Sequence, residues 1–305
     1  MIIMKNTHIE HPEDSILNGD LTALDWFTLN GKISVKIDGA PAIVWGRNPA
    51  TGNQFVGTKS VFNKVKIKIN ESHADIDNNH DGEVADILHT CFDCLPDTDR
   101  IIQGDFIGFG DDNAFQPNTI TYVFDYVIEN DIVIAPHTEY FAEKDLRDAV
   151  AQPLTGTPLS DTECCHFVQP YVFIDEHRDD IEDMCKFARQ MSTMCEFPTV
   201  KQVTKVKKEL NSCIREGIDI DDITLESLAY CNDIDVNVLR LWKLVQSIKM
   251  DMFAYINVEA SLNCLIDGEE CDHEGYVMSN DCGTFKLVDR TTFSYHNFNM
   301  GVQSR

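Results

Sequence analysis

ISVKIDGAPAIVWGR, residues 33–47, is the stretch that decides the predicted fold. It begins as an alternating strand, turns at Asp38-Gly39 and resumes as an apolar strand at Ala42. Lys36 and Asp38 are two residues apart, so in a strand their side chains share one face. Gly39 lets the backbone turn without a Cβ penalty. Two interpretations fit, a small reactive site or an exposed salt bridge on a hairpin, and these residues alone favour the salt bridge.

The composition limits the classes of function that fit the chain. Its 305 residues are 43% hydrophobic, which predicts a folded protein with a substantial core. The formal charge of −26 argues against a general polyanion-binding surface, so a nucleic acid would have to meet a local basic patch. No apolar run approaches the roughly 20 residues of a membrane span, and the N-terminus lacks the apolar core of a signal peptide. We expect a cytoplasmic protein with no membrane partner.

The 11 cysteines are typical of a cytosolic chain with reduced thiols. His89, Cys91 and Cys94 have a spacing that could begin a zinc site, but no second CxxC pair completes it. The remaining candidates are poor matches: Cys164, Cys165, Cys271 and Cys282. Buried free thiols are therefore the preferred interpretation.

Lysines are concentrated in QFVGTKSVFNKVKIK, residues 54–68, within an otherwise acidic chain. They are Lys59, Lys64, Lys66 and Lys68. One interpretation is a solvated strand edge, where lysines discourage pairing with another strand. The other is a local electropositive strip that binds phosphates. The two are equally compatible with the sequence.

The order of strand-like and helix-like segments predicts an α+β architecture. Four apolar strand segments are RIIQGDFIGFG (100–110), TITYVFDYVI (119–128), HEGYVM (273–278) and GTFKLV (283–288). Residues 175–262 instead show helical spacing of apolar side chains. We therefore expect a β-rich domain formed by residues 1–174 and 263–305, with a helical subdomain inserted at 175–262.

Five segments, in order, resemble the motifs of a known superfamily. They are VKIDG (35–39), QGDFIG (103–108), VFDYV (123–127), HEGYVM (273–278) and TFKLV (284–288). Their order and polarity are similar to motifs I, III, IIIa, IV and V of the covalent nucleotidyltransferases, the polynucleotide ligases and mRNA capping enzymes. The closest likeness is to RNA-ligase-like proteins of tailed bacteriophages. The resemblance implies an antiparallel-sheet ligase adenylation domain, and the sequence after Arg290 is too short for the C-terminal OB barrel of DNA ligases.

The resemblance implies that Lys36 attacks the α-phosphate of ATP and forms a lysyl-adenylate. Lys286, the single lysine of the motif V segment where the family usually has two, would add positive charge at the phosphates. Glu274 matches the motif IV acid that helps to hold Mg²⁺ or Mn²⁺. Phe124 matches the aromatic residue that stacks on the nucleobase.

The remaining nucleotide-binding assignments also come from the resemblance. Asp38 and Gly39 complete motif I. Asp105 occupies the position where the family usually has a glutamate that contacts the ribose hydroxyls, and it is one methylene shorter. Arg47 is the candidate for the arginine downstream of motif I, although that arginine usually lies closer to the lysine.

These expectations define an ATP-dependent RNA ligase that repairs RNA by joining 5′-phosphate and 3′-hydroxyl ends, including breaks in transfer RNA. Lys59 and Lys64 would bind the RNA, in the host cytoplasm if the chain is encoded by a phage. Two alternatives stay open: transfer of AMP to an acceptor other than RNA, and a non-catalytic binding protein with the nucleotidyltransferase fold. No signal in the sequence indicates an oligomeric state.

Overall fold

The computed structural model describes residues 9–154, 157–259 and 262–293. The chain is a mixed α+β protein. Its strands are β1 (Lys32–Val35), β2 (Ala42–Arg47), β3 (Gln54–Gly57), β4 (Ile101–Phe109), β5 (Asp112–Phe115), β6 (Thr121–Ile128), β7 (Ile132–Phe141), β8 (Val150–Pro153), β9 (Cys165–Phe167), β10 (Tyr171–Ile174), β11 (Ile256–Glu259), β12 (Leu262–Ile266), β13 (Glu269–Cys271), β14 (Gly275–Asn280) and β15 (Gly283–Val288).

Eight α-helices lie wholly within the described residues, and residues 290–293 are also helical. They are α1 (Pro12–Ile16), α2 (Thr22–Trp26), α3 (His73–Asn79), α4 (Glu83–Cys94), α5 (Asp179–Ser192), α6 (Val200–Glu216), α7 (Asp222–Asn232) and α8 (Val236–Asp251). None of the helices in these ranges combines the length and apolar character that crossing a membrane requires.

The chain divides into two compact units. Unit 1 contains residues 36–154, 157–170 and 262–273, and unit 2 contains residues 9–35, 171–259 and 274–293. The helices α5 to α8 occupy the region where the apolar spacing predicts helices. They do not form a unit of their own, because they share unit 2 with α1, α2, β1, β14 and β15.

Unit 1 is built on two sheets. The larger has the strand order β3-β2-β4-β7-β8, with β9 added as a parallel neighbour of β7. The smaller has the order β13-β12-β6-β5. Apart from the β7–β9 pair, the strand pairs of both sheets are antiparallel.

The larger sheet of unit 1 has a hydrophobic cluster on each face. Ile43 and Trp45 of β2 belong to one cluster, and Val44 between them belongs to the other, as expected because successive strand side chains point to opposite faces. The helix α4 covers the first face with Leu88 and Cys91, which are fully buried. This packing holds the strands that carry the motif III segment.

Unit 2 combines the three-stranded sheet β1-β14-β15, the pair β10-β11 and the helices. Thr199 and Gln202 form a capping box at the start of α6, and Gly217 ends the helix in the left-handed conformation. Trp242 of α8 is fully buried in the helical core. Trp26 donates a hydrogen bond of 3.3 Å to the Met278 carbonyl and so ties α2 to β14.

Two local expectations are wrong. Residues 33–47 do not form a hairpin, since β1 pairs with β14 and β2 pairs with β3 and β4 in the described chain. The lysine-rich segment is not a continuous strand edge either, because β3 ends at Gly57 and residues 59–62 form a 3₁₀ turn. Thr58 starts that turn by accepting a hydrogen bond from Ser60 N.

Candidate functional site

Lys36 lies in the connection that leaves β1 and enters β2. Its Nζ is 3.0 Å from Asp38 Oδ1, and the two side chains are 20% and 40% exposed. The ion pair expected between these residues is therefore present, but on an extended connection and not on a hairpin. The Lys36 side chain is therefore partly exposed to solvent.

Two side chains from unit 1 fix the backbone of Asp38. Its N–H donates a hydrogen bond of 2.9 Å to Tyr122 Oη, and the Tyr122 hydroxyl lies 3.3 Å from the Asp38 carbonyl and donates to it. Asn118 Nδ2 donates a second hydrogen bond of 2.9 Å to the same carbonyl. Tyr122 belongs to β6 and is buried. The position of Asp38 is thus set by a strand far away in sequence.

Gly39 lies against the backbone of β4. A Cβ atom at this position would be 2.3 Å from the Phe106 carbonyl oxygen, a distance that no side chain can occupy. Ala40 N donates to that oxygen at 3.0 Å, and Phe106 N donates to Pro41 O at 3.0 Å. Glycine is required here because two backbones approach closely. The sequence suggests a different reason, a turn at Asp38-Gly39.

Asp105 belongs to the same group. Gly39 N donates to Asp105 Oδ2 over 3.4 Å, and His137 Nε2 lies 3.5 Å from the other carboxylate oxygen. The Asp105 side chain is only 13% exposed. Asp105 therefore contacts the backbone of the same connection that bears Lys36 and Asp38. A ribose hydroxyl that bonded to this carboxylate would share it with His137.

Phe124 lies two residues from Tyr122 on β6, so the two side chains share a face. Its ring is 3% exposed and makes edge contacts with Phe115 and His166, at centroid distances of 5.8 and 6.0 Å. Such contacts are those of an aromatic core residue. Stacking of a nucleobase on Phe124 stays a prediction.

Arg47 is engaged at the other end of β2. Its guanidinium pairs with Asp97 and, at 3.0 Å, with Asp99, and it donates to the Gly52 carbonyl at 3.0 Å. Arg47 is five residues along the strand from Ala42, a span of about 16 Å. A nucleotide beside Lys36 would have to draw this side chain away from both acids.

Lys59 and Lys64 lie on the surface of unit 1, together with Lys66. No ion pair joins them to an acidic side chain within the described ranges. Lys68 differs, because its amine is half-buried and donates to the Asn79 carbonyl. The exposed lysines of the strip are therefore Lys59, Lys64 and Lys66.

Glu274 and Lys286 lie in unit 2, on neighbouring strands. Glu274 is 7% exposed and immediately precedes β14. Lys286 lies opposite Val277 in the β14–β15 register, and its backbone N donates to the Glu10 carbonyl at 3.0 Å. Gly275 has a φ of +152° and lets β14 approach the Leu287 carbonyl, which a Cβ would meet at 2.1 Å. The carboxylate of Glu274 is an oxygen donor of the type that Mg²⁺ and Mn²⁺ prefer.

Three residues of unit 1 were not predicted from the sequence: Asn118, Tyr122 and His137. Tyr122 lies in the apolar strand segment TITYVFDYVI. An aromatic side chain is common in such a strand, so the sequence gives no reason to assign its hydroxyl a polar role. His137 follows the apolar residues at the start of β7. The change from apolar to polar side chains is the only feature of the sequence that draws attention to it. The hydrogen bonds to Asp38 and Asp105 become visible only when the strands are paired.

The fold and these side chains define a mixed α+β protein with antiparallel sheets and a partly exposed lysine–aspartate pair on a fixed connection. The chain belongs to a family described as a family of unknown function, DUF6267, whose model matches residues 6–232 and 222–301. No curated protein and no solved structure matches the chain.

Proposed function

We propose that the protein is an ATP-dependent RNA ligase that works through a lysyl-AMP at Lys36. The observation that carries the proposal is the setting of this lysine. Its amine is partly exposed and 3.0 Å from Asp38, and the connection that bears both residues is bonded to β4 and β6 of unit 1. A nucleophile held on a fixed backbone loses little conformational freedom when it reacts.

The first step is attack of Lys36 Nζ on the α-phosphorus of ATP. The N–P bond forms, the bond between the α-phosphorus and the bridging oxygen breaks, and pyrophosphate leaves with the electron pair. The amine has to lose its proton first, which costs about 4–5 kcal/mol at pH 7 for a lysine with an ordinary pKa near 10.4. Asp38, within hydrogen-bond reach, is the proposed acceptor of that proton.

The next two steps transfer and release AMP. A 5′-phosphate oxygen of the RNA attacks the lysyl-AMP phosphorus, the N–P bond breaks, and the amine recovers a proton. A 3′-hydroxyl then attacks the activated 5′-phosphate, loses its proton, and expels AMP as a new phosphodiester forms. Glu274 is the proposed ligand of Mg²⁺ or Mn²⁺, which when bound would neutralise phosphate charge, and Lys286 would add a fixed positive charge.

RNA is the proposed acceptor because of the exposed lysines. The chain carries 51 acidic and 25 basic residues, so most of its surface repels a polyanion. Lys59 and Lys64 are exposed and without acidic partners among the described residues. They are the proposed contacts for a short RNA end, and salt should weaken binding that depends on them.

Covalent labelling tests the lysyl-AMP. The full chain is incubated with Mg²⁺ and ATP labelled on its α-phosphate, then separated under denaturing conditions. We expect label on the wild type, none on Lys36→Ala, and normal label on Lys32→Ala, a matched change at an exposed lysine of β1. An unlabelled wild type would leave only the non-catalytic binding protein.

A second experiment identifies the acceptor. The labelled protein is freed of ATP and given RNA with a 5′-phosphate and a 3′-hydroxyl. We expect loss of label from the protein and a joined RNA product, both reduced in a Lys59→Ala, Lys64→Ala double variant. Label that stays on the protein with RNA, yet leaves it with another acceptor, would support AMP transfer to that acceptor in place of RNA joining.

A further inference from the structure

Two thiols and a carboxylate meet in unit 1, outside the five motif segments. Cys94 is the last residue of α4, Asp131 immediately precedes β7, and Cys164 immediately precedes β9. One ligand atom from each lies within 4.8 Å of the other two. The distance between Cys94 Sγ and Asp131 Oδ2 is 3.7 Å.

The backbone around these side chains is held by hydrogen bonds. Thr162 Oγ1 donates to the Cys94 carbonyl at 3.1 Å, and Ile132 N donates to the Cys164 carbonyl at 3.0 Å. The parallel pairing of β7 with β9 sets Ile132 opposite Cys165. The end of α4 and the starts of two strands are therefore positioned by the fold itself.

The separations suit a tetrahedral metal ion. With Zn–S distances of about 2.3 Å and Zn–O distances of about 2.0–2.2 Å, neighbouring ligand atoms lie roughly 3.5–3.8 Å apart. The 3.7 Å between Cys94 Sγ and Asp131 Oδ2 falls in that range, and the other two separations are at most 4.8 Å.

The ligand set suits a dication. Two thiolates and one carboxylate within 4.8 Å of one another supply three negative charges once a metal displaces the thiol protons, and a cation between them offsets that charge. Cys94 is buried, Cys164 half-buried and Asp131 exposed, so one side of the cluster is open to water.

We infer that Cys94, Cys164 and Asp131 bind one zinc ion, with water as the fourth ligand. The site joins the end of α4 to the starts of β7 and β9. Thiolates are soft ligands that select zinc over magnesium, so the site is separate from the metal that the proposed reaction uses. The sequence offers no second CxxC pair to complete a site with Cys94, whereas the fold brings Cys164 and Asp131 to it.

The experiment is a titration of the reduced full chain with Co²⁺, which replaces zinc in tetrahedral sites and gives a near-ultraviolet charge-transfer band when thiolates bind it. We expect one equivalent to produce the band and one equivalent of Zn²⁺ to abolish it. Cys164→Ser should lose the band, and Asp131→Asn should bind Co²⁺ at least tenfold more weakly. Cys282→Ser, a partly exposed thiol of unit 2, should behave as the wild type.

One further variant separates thiolate ligands from histidine ligands. His73 and His89 lie 2.7 Å apart between their Nδ1 atoms on α3 and α4, and they offer nitrogen ligands to Co²⁺. A His73→Gln, His89→Gln variant should keep the thiolate band.

Three outcomes would each overturn the inference. They are a band absent from the wild type, a band that survives Cys164→Ser in a variant with wild-type circular dichroism, and a Cys94–Cys164 disulfide with no metal uptake after reduction. Because Asp131 is exposed, its substitution tests the site even if Cys164→Ser fails to fold.

Discussion

Tyr122 and Asp38 exchange two hydrogen bonds across unit 1: the Asp38 N–H donates to the phenol oxygen at 2.9 Å, and the phenol hydroxyl donates to the Asp38 carbonyl over 3.3 Å. A buried side chain on β6 therefore positions the residue that pairs with Lys36. The reactivity proposed for the lysine depends on a strand more than eighty positions away along the chain.

Replacing Tyr122 by phenylalanine tests this dependence. The variant leaves the Asp38 N–H without its acceptor, so we expect a loss of about 1–2 kcal/mol in the free energy of unfolding. Covalent labelling by ATP should slow about tenfold, equivalent to about 1.4 kcal/mol in the barrier. Urea denaturation and the labelling time course measure the two effects. Tyr126→Phe, a change at an exposed tyrosine of the same strand, should alter neither.

Gly39 gives a steric test of the same connection. Because a Cβ atom would be 2.3 Å from the Phe106 carbonyl, Gly39→Ala should displace the segment from β4, cost about 1–3 kcal/mol of stability and abolish labelling. Ala40→Ser, at the adjacent exposed position, serves as the control. Normal labelling of a folded Gly39→Ala protein would show that the close approach to β4 has no part in the reaction.

The sequence predicted the elements better than their partners. Residues 175–262 were predicted to be helical and contain α5 to α8, and the apolar runs of β4, β6, β14 and β15 are strands, because periodicity reports local structure. Pairing is a long-range property: nothing in ISVKIDGAPAIVWGR indicates that β1 pairs with β14 instead of β2. For the same reason the sequence indicated Lys36 and Asp38 but not Tyr122, and it named Cys94 and Cys164 without indicating that they meet at Asp131.

A buried ion-pair cluster in unit 2 supplies a stability prediction. Lys249 of α8 and Glu13 of α1 are both fully buried, and their charged atoms are 2.7 Å apart. Arg290 also pairs with Glu13, at 3.1 Å. Lys249→Met should remove about 3–5 kcal/mol of stability, because it deprives a buried carboxylate of one of its cations. Lys243→Met, at a half-buried position of the same helix, should change the unfolding free energy by about 0.5 kcal/mol or less.

His11, beside the same cluster, makes unit 2 sensitive to acid. Burial, with the positive charges of Arg290 and Lys249, lowers the pKa of His11 from 6.5 to about 2. The unfolded chain therefore binds a proton that the folded chain does not between these two values. Stability should be highest above pH 6.5 and fall with decreasing pH across that window, by up to about 1.4 kcal/mol per pH unit.

Unfolding measured from pH 7.5 to pH 5 checks the histidine. His11→Gln should flatten the dependence on pH over that range, whereas His177→Gln, at an exposed position of unit 2, should keep the wild-type slope. Equal slopes in the wild type and in His11→Gln would assign the acid sensitivity to other groups.

The most direct measurement of the central claim is peptide mass spectrometry of the protein after reaction with ATP and Mg²⁺ or Mn²⁺. We predict a peptide that contains residues 33–47 with the added mass of one AMP, fragment ions that place the adduct on Lys36, and loss of the adduct when pyrophosphate is added back. An unmodified Lys36, or AMP attached to a different residue, would contradict the assignment of this lysine as the nucleophile.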